Sequence, residues 1–408
     1  MKAKRAVIAT LLCMLSTSLA TPSATAGSQD GAVVTHWNAI AQRTIYTEAA
    51  TPVPIGQLYF GFVSAAVYDA VRDAEHGKRK ASVTAAVATA AHDVLAEYFP
   101  NSATALATDL AGTLASVPDG PREDRGVRIG AAAAAALIAD RVDDGRNAPI
   151  MFTVPPAPGV WRPTPPANAP FLAPWLGFVR PMLIDSPAQI HLDGPDALTS
   201  RQYTKDFAEV KSLGSATSST RSAKQTETAL FFSANPVIQY QTGMRDLADR
   251  KDFTARKAAQ MFAAINMTAV DALITCWRAK LDHPFWRPIT GIREADTDGN
   301  PRTTADPAWT SLIAAPPYSD YTSGHACNTG AVATGLATLA GSDRIDLYVS
   351  SVVNGVTLTR HYTSARKLIR DAFNARIWLG IHFRTAMEDG SYIGKTASRL
   401  GFAELGLR

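Results

Sequence analysis

The sequence predicts an all-α fold, because long proline-free stretches carry apolar residues at helical spacing and strand patterns are scarce. The chain has 408 residues, which is more than one typical domain, so we expect one large helical unit or two packed halves. We divide it into a signal peptide (1–26), an N-terminal helical bundle (27–153), a proline-rich strap with a connecting segment (154–222) and a C-terminal helical bundle (223–408).

The first 26 residues have the layout of a secretory signal peptide. A basic start at residues 2–5 precedes an apolar run over 6–20, and the small residues of 24–26 suit cleavage. The apolar run is short for a membrane span, although an uncleaved anchor is the alternative. We therefore expect a secreted, extracellular protein that does not associate with a membrane after cleavage.

The charge balance argues against a nucleic-acid partner. The full chain has 40 basic and 36 acidic residues, and cleavage removes Lys2, Lys4 and Arg5 but no acid, which leaves 37 and 36. Proteins that bind nucleic acid usually have a strong basic excess. Any cationic cluster in this chain is therefore expected to be a local site.

Along the chain, predicted helices are separated by a proline-rich segment and by a glycine-rich and serine-rich segment. Prolines fill 154–175 and exclude a helix there, while the interspersed aromatic residues favour an ordered strap lying across the helices. Glycine, serine and threonine dominate 213–222, which predicts a more mobile connection. Helices are predicted at 83–98, 128–142, 254–280, 324–339, 364–380 and 386–401, with an irregular stretch at 294–321.

The first motif that carries chemistry is the turn KLDHPFWRP, which runs from Lys280 to Pro288. Lys280 closes a long helix and the chain turns at Pro284, so the side chains of Lys280 and Arg287 can point to one place. A compact ammonium and a planar guanidinium are donors that suit a tetrahedral anion. The alternative is that Lys280 satisfies the carbonyl groups at the end of its own helix. His283, inside the turn, is a further candidate residue of this site.

The second motif is Thr322-Ser323-Gly324-His325, which precedes an Ala/Gly-rich helix. Thr322 or Ser323 is the expected N-cap, and the free first-turn amide groups favour an anion that Gly324 allows to approach closely. His325 is placed to exchange a proton beside that anion. No GxSxG pattern surrounds Ser323, so we interpret it as a hydroxyl donor. The alternative is a plain helix cap followed by a surface histidine.

The third motif contains Arg376, Gly380 and His382 at the end of another predicted helix. Six residues turn by about 240° on an ideal helix, so Arg376 and His382 share a face only if the helix loosens near Gly380 or the arginine reaches around. Arg376 would supply a third cation, and His382 a ligand or nucleophile. The alternative is a structural histidine.

In this order, Lys-x6-Arg-Pro, Ser-Gly-His and Arg-x3-Gly-x-His resemble the signature motifs of the vanadium-dependent haloperoxidases and the related acid phosphatases of the PAP2 superfamily. WRPITGIREAD at 286–296, the segments 316–326 and 380–386, and WRP at 161–163 are similar to the bacterial haloperoxidase branch. The resemblance covers residue 160 to the C-terminus. It implies an all-α fold of two packed helical bundles, of which the C-terminal bundle is catalytic.

The resemblance also implies roles for individual residues. His325 would be the acid–base histidine, and His382 would bind vanadium or, in a phosphatase, attack phosphorus. Lys280 would share in catalysis, and Tyr318 stands where the family tunes its halide preference. The residues implied to hold vanadate or phosphate are Lys280, Arg287, Ser323, Gly324, Arg376 and His382.

The implied function is a secreted, haem-free, vanadate-dependent haloperoxidase. Such an enzyme oxidises halide with hydrogen peroxide to a hypohalous acid equivalent, which reacts with a small organic substrate. One alternative is a PAP2-type acid phosphatase that hydrolyses a phosphate ester through a phosphohistidine. Another is a non-catalytic homologue that only binds an oxyanion.

Three residues depart from the family pattern. Thr322 replaces a proline, which would loosen the loop and add a capping hydroxyl group. Ala375 replaces a serine and would remove a supporting hydrogen bond. Ala386 replaces an aspartate, so His382 would lack its usual supporting partner unless Glu388 or Asp389 substitutes for it.

Two cysteines would remain after signal cleavage. Cys276 lies four residues before Lys280, and Cys327 lies two residues after His325, so both flank the candidate site. An exported protein permits a disulfide between them. Two small buried apolar side chains are the alternative.

Overall fold

The computed structural model describes residues 26–76 and 80–407 of the chain. The predicted signal peptide lies outside these residues except for Ala26, and so does Cys13. Within them the regular secondary structure is helical apart from one two-stranded sheet, so the predicted all-α fold is confirmed.

The N-terminal part consists of five helices. They are α1 (Ala26–Gln42), α2 (Val53–His76), α3 (Val83–Tyr98), α4 (Ala103–Leu114) and α5 (Pro121–Asp140). Helix α3 has the predicted bounds because the Ser82 hydroxyl accepts a hydrogen bond from the Ala85 amide and caps it. Helix α5 begins earlier than predicted, at Pro121, a residue favoured in the first turn. Gly126 and Gly130 let α5 approach the backbone of α3 closely.

The proline-rich strap contains a single 3-10 turn, Pro174–Phe178. Trp161 and Phe171 are buried and pack edge to face, with ring centroids 5.1 Å apart. The strap is tied to later loops by three main-chain hydrogen bonds. The Trp161 amide donates to the Pro284 carbonyl at 2.6 Å, the Trp286 amide to the Gly159 carbonyl at 2.9 Å, and the Leu172 amide to the Pro317 carbonyl at 2.8 Å. It therefore supports the loops that carry the predicted motifs.

Eight helices and a hairpin follow. The helices are α6 (Arg201–Leu213), α7 (Ala223–Phe231), α8 (Pro236–Arg250), α9 (Ala255–Asp282), α10 (Pro288–Arg293), α11 (Gly324–Leu339), α12 (Ala365–Trp378) and α13 (Arg384–Glu404). Strands β1 (Leu347–Val353) and β2 (Val356–Tyr362) pair antiparallel. We did not predict this hairpin, although its turn residues Asn354 and Gly355, both with positive φ, are a typical hairpin signal.

Helix α9 is the centre of the fold, and most of its residues are buried. It packs against α2 from the N-terminal part and against α11 and α13 from the C-terminal part. It is long and apolar enough to cross a membrane, but 89% of its most apolar window is buried inside the protein, as in a core helix. The largest hydrophobic core contains residues from both parts, and our division into bundles stays a prediction.

Candidate active site

The loop before α11 positions the second motif. The Ser323 hydroxyl caps α11 by accepting a hydrogen bond from the Ala326 amide at 3.4 Å, and the Ser323 amide donates to the Ala386 carbonyl at 2.8 Å. The prediction that Thr322 adds a capping hydroxyl group is wrong. Its hydroxyl instead lies 3.3 Å from the sulfur of Cys276, because the loop directs this side chain into the core.

Gly324 begins α11 and lies against the indole of Trp277. A Cβ atom at this position would be 2.9 Å from Cζ3 of Trp277, so a larger residue would displace the ring. The first-turn amides of an α-helix have no acceptor within the helix. Gly324 therefore allows close packing and leaves the N-terminus of α11 open towards the cavity described below.

Lys280 is fully buried in the last turn of α9. Its ammonium group donates to the Ser319 carbonyl at 2.7 Å and to the Asp320 carbonyl at 3.3 Å. These acceptors belong to the loop before α11, so Lys280 does not take the alternative role of satisfying its own helix. Burial lowers the pKa of Lys280 to about 8, although the neighbouring Cys276 raises it.

Arg287 precedes α10 and joins two loops. Its Nε donates to the Tyr318 carbonyl and its Nη1 to the Ile381 carbonyl, both at 2.7 Å. Its Nη2 is buried and has no hydrogen-bond partner among the described residues. Burial lowers the pKa of Arg287. The guanidinium group thus holds the loops together and retains one free donor.

Arg376 lies in the last turn of α12. Its Nη1 donates to the Phe232 carbonyl at 3.0 Å, and its Nε has no partner within the described part of the chain. Burial lowers the pKa of Arg376 to about 10, so the charge is retained at neutral pH. Helix α12 ends at Trp378, and Gly380 with a φ of 77° turns the chain so that Arg376 and His382 reach the same cavity.

His382 is buried between a cation and a carboxylate. Its Nδ1 lies 2.8 Å from Oδ1 of Asp320, and Nη1 of Arg287 lies 3.2 Å from its Nε2 and 3.4 Å from its Nδ1. A carboxylate can only accept, so we assign the hydrogen to Nδ1, which donates to Asp320, and the lone pair to Nε2. Burial, and then the charge of Arg287, lowers the pKa of His382 well below its usual range. The imidazole is therefore neutral.

Asp320, which we did not predict, is the partner of His382. The expectation of Glu388 or Asp389 is wrong: Asp389 accepts a hydrogen bond from the Tyr321 hydroxyl at 2.6 Å. Asp320 is buried and lies 3.9 Å from Arg287, and burial raises its pKa to about 7 against the opposing effect of that cation. The charges of Arg287 and Lys280 favour an ionised Asp320, which accepts from Nδ1 of His382.

His325 lies in the first turn of α11 and is only 8% exposed, so the alternative of a surface histidine is wrong. The ring of Phe232 meets it edge-on at 6.3 Å. Nε2 of His325 has no hydrogen-bond partner among the residues that the structure describes. Burial and the charge of Arg376 lower the pKa of His325, so the neutral ring can accept a proton.

These groups surround one end of a cavity of about 260 Å³, which we call the site cavity. Gly324, His325, Arg376 and His382 line its polar end. The side chains of Lys280, Arg287 and Ser323 lie behind this lining. The ring of Tyr318 lines the site cavity and covers both rear cations, with its centroid 4.9 Å from Nζ of Lys280 and 5.0 Å from Cζ of Arg287.

Two further sets of predicted residues lie outside the cavity. His283 ends α9 and packs edge-on against Tyr321 at 5.6 Å. Cys276 and Cys327 are buried free thiols, which agrees with two small core side chains and not with a disulfide. Both cysteines touch the motif loop: the sulfur of Cys276 lies 3.3 Å and that of Cys327 4.0 Å from the Thr322 hydroxyl.

The donor set fits a tetrahedral oxyanion such as vanadate or phosphate. Three cations converge, and Nη2 of Arg287 and Nε of Arg376 are buried without partners in the described ranges. Leaving such donors unsatisfied is unfavourable by about 1–3 kcal/mol each. An anion at the polar end of the site cavity would remove this penalty and be favoured by the N-terminus of α11.

The chain is similar to known proteins in sequence and in fold. Residues 260–405 match the family described as the VCPO second helical-bundle domain. The vanadium chloroperoxidase of Curvularia inaequalis is 29% identical over 171 aligned residues, which cover 31% of this chain and only 27% of that protein.

Solved structures are similar over most of the chain. A bacterial vanadium-dependent iodoperoxidase has a TM-score of 0.76 at 20% identity, over 92% of this chain and 96% of its own. A bacterial vanadium-dependent chloroperoxidase has a TM-score of 0.70 at 17% identity, over 87% and 92%. The predicted resemblance is confirmed: residues 260–405 match the VCPO second helical-bundle domain, and the chain has the fold of vanadium-dependent haloperoxidases.

Proposed function

We propose that this protein is a vanadate-dependent haloperoxidase, which uses hydrogen peroxide to oxidise a halide to a hypohalous acid equivalent. The observation that supports it most is the polar end of the site cavity. There, buried cations, two neutral histidines and an open helix N-terminus converge, and several donors have no protein partner in the described residues. The family match of residues 260–405 supports the same chemistry.

In this proposal the protein residues hold and polarise an anion. Nε2 of His382, which keeps its lone pair because Nδ1 donates to Asp320, would bind vanadium, while Lys280, Arg287 and Arg376 would balance the negative charge on the oxygens. Vanadate, when bound, would supply a Lewis-acidic centre that activates peroxide without a change in its own oxidation state. His325, which is neutral and unpartnered, would take up or return the proton that moves during peroxide binding.

We further propose that Tyr318 tunes the halide preference. Its ring contacts Trp277 at 4.9 Å, lines the site cavity and lies over Lys280 and Arg287. A change in this ring would alter the electrostatic field that a halide experiences beside the anion site. The ratio of iodide to bromide oxidation in a Tyr318→Phe variant would test this, and an unchanged ratio would contradict it.

The main experiment is an assay of the full chain loaded with orthovanadate, using hydrogen peroxide, bromide and a phenol dye. We expect vanadate-dependent bromination that His382→Ala and His325→Ala each reduce by at least about 100-fold. His283→Ala is the matched control, because His283 lies near the same loop but outside the site cavity, and it should keep wild-type activity. Absence of vanadate-dependent bromination in the wild type would contradict the proposal.

The same preparation distinguishes the alternatives. Hydrolysis of p-nitrophenyl phosphate that vanadate inhibits would indicate the PAP2-type phosphatase, with His382 as the nucleophile. Binding of vanadate without either activity would indicate a non-catalytic homologue.

We also propose that the protein is exported, on the basis of the basic start, short apolar run and small residues of 1–26. N-terminal sequencing of the protein from the culture medium should begin at Gly27. Retention of Met1 in a cell-associated protein would contradict export.

A further inference from the structure

The site cavity continues from its polar end into an apolar region. Its walls there come from several parts of the chain: Val53 and Pro54 at the start of α2, Leu172 in the strap, Leu273 and Trp277 on α9, and Pro316 and Pro317 in the loop before Tyr318. A cavity of about 150 Å³ lined by such residues can hold a benzene molecule. The site cavity, at about 260 Å³, has room for a small ring compound beside an anion.

One polar side chain in this wall lacks a partner. Asn328, on α11 one turn after His325, is buried and lines the site cavity. Its Nδ2 donates to Oε1 of Gln57 at 3.0 Å, but its Oδ1 has no hydrogen-bond partner in the part of the chain described. By contrast, the carbonyl oxygen of the Asn235 side chain, in the same wall, already caps α8.

The orientation of the Asn328 amide follows from a chain of hydrogen bonds that begins near the surface. Arg245, which can only donate, contacts Oδ1 of Asn38 at 2.7 Å. Nδ2 of Asn38 therefore faces Oε1 of Gln241, at 2.8 Å, and Nε2 of Gln241 donates to Oδ1 of Asn266. Each amide in this chain is thus oriented by the one before it.

Gln57 is the last amide before Asn328 in this series of hydrogen bonds, and its own contacts determine its orientation independently. Its Nε2 lies 3.4 Å from both the main-chain oxygen and Oδ1 of Asn266, and a main-chain oxygen can only accept. Oε1 of Gln57 must then face Asn328, whose Nδ2 supplies the hydrogen. The amide oxygen of Asn328 is consequently left as an acceptor in the cavity wall.

We propose that the site cavity binds a small aromatic molecule that carries one hydrogen-bond donor, such as a phenol, with its ring against Trp277 and its hydroxyl group donating to Oδ1 of Asn328. The ligand class follows from the apolar walls and from the unsatisfied amide oxygen of Asn328 in the described lining. Asn328 would select a donor, because burying its oxygen against an ether or a hydrocarbon would leave it unsatisfied.

The catalytic consequence of this binding rests on the proposed function: the bound ring would be the molecule that is halogenated. Hypohalous acid would transfer its halogen to a ring carbon, which loses its proton, and the hydroxide released from the acid would take that proton to form water. Binding itself does not depend on vanadate or peroxide. It can therefore be measured on the protein without either.

The test is titration calorimetry of the full-length, vanadate-free protein with 4-methylphenol and with 4-methylanisole, which lacks the donor. We expect one site per chain and about tenfold weaker binding of the anisole, the effect of one hydrogen bond of about 1.4 kcal/mol. Asn328→Ala should remove this preference. Thr338→Ala, on the same helix but away from the cavity, is the matched control and should keep it.

A second variant fills the cavity without disturbing the core. Val53 is 37% exposed at the cavity mouth, so Val53→Trp should fold normally and weaken 4-methylphenol binding by more than about tenfold. Absence of saturable binding, equal affinities for the two probes, or an unchanged preference in folded Asn328→Ala would each overturn the inference. Donor-selective binding in a protein that does not halogenate would support the inference and refute only the proposed function.

Discussion

Arg287 and Arg376 carry the same charge at the same site but are held in different ways. Arg287 lies behind the cavity lining and donates to carbonyl groups of two loops, near the buried carboxylate of Asp320. Arg376 lines the site cavity and makes one hydrogen bond to protein, with the Phe232 carbonyl. The comparison indicates that one arginine mainly builds the site, whereas the other is mainly available to a ligand.

The largest expected effect is that of Arg287→Met on stability. This change leaves Asp320 buried without its nearest cation and releases two loop carbonyls, so the free energy of unfolding should fall by about 3–5 kcal/mol. Denaturant unfolding of the vanadate-free protein measures it. A loss below about 1 kcal/mol would contradict the structural role assigned to Arg287.

Arg376→Met should separate binding from stability. It removes one hydrogen bond, and we expect the free energy of unfolding to change by less than about 2 kcal/mol. Vanadate affinity, measured by equilibrium dialysis, should fall by about 10- to 150-fold through loss of a charged hydrogen bond. If this variant unfolded as readily as Arg287→Met, the two arginines would not differ in the way proposed.

Asp320→Asn tests the residue that links Arg287 to His382. An amide that presents its nitrogen to Nδ1 of His382 would favour the tautomer with hydrogen on Nε2, the wrong atom for a metal ligand. We expect vanadate affinity to fall by about 10- to 100-fold. NMR of the His382 ring nitrogens should show the tautomer change, which a merely structural role would not produce.

The smallest effect is a pH dependence that comes from Lys280. Burial lowers its pKa to about 8, so the side chain is charged below this pH and neutral above it. The ratio of vanadate dissociation constants between Lys280→Met and the wild type should be constant below pH 8 and then fall, by at most about tenfold per pH unit. Because vanadate titrates identically in both titrations, a ratio independent of pH would contradict this assignment.

Local signals in the sequence predicted much of the fold. The bounds of α3 and α11 follow from serine N-caps that precede apolar helical patterns. The β1–β2 hairpin was missed because only its Asn354-Gly355 turn is a strong local signal, while β2 lies mostly on the surface.

The candidate site was predicted only where its residues form short motifs. Asp320 was missed although it lies five residues before His325, because its contact with His382 spans 62 residues and depends on how the loops fold. The same is true of Asn328, whose role comes from Gln57, 271 residues away. Contacts between residues so far apart follow no periodic pattern or fixed spacing in the sequence from which they could be predicted.

The walls of the site cavity come partly from the segment that matches the family and partly from outside it. Every residue predicted to hold the oxyanion lies within 260–405, the segment that matches the family. Val53, Leu172 and Gln57, which shape or orient the organic side of the cavity, lie outside that segment. Part of the wall that would contact an organic molecule is thus encoded outside the stretch that carries the reacting groups, whereas Trp277 and Asn328 lie within it. Substitutions in the N-terminal helices could change which molecule is modified while the reacting groups stay in place.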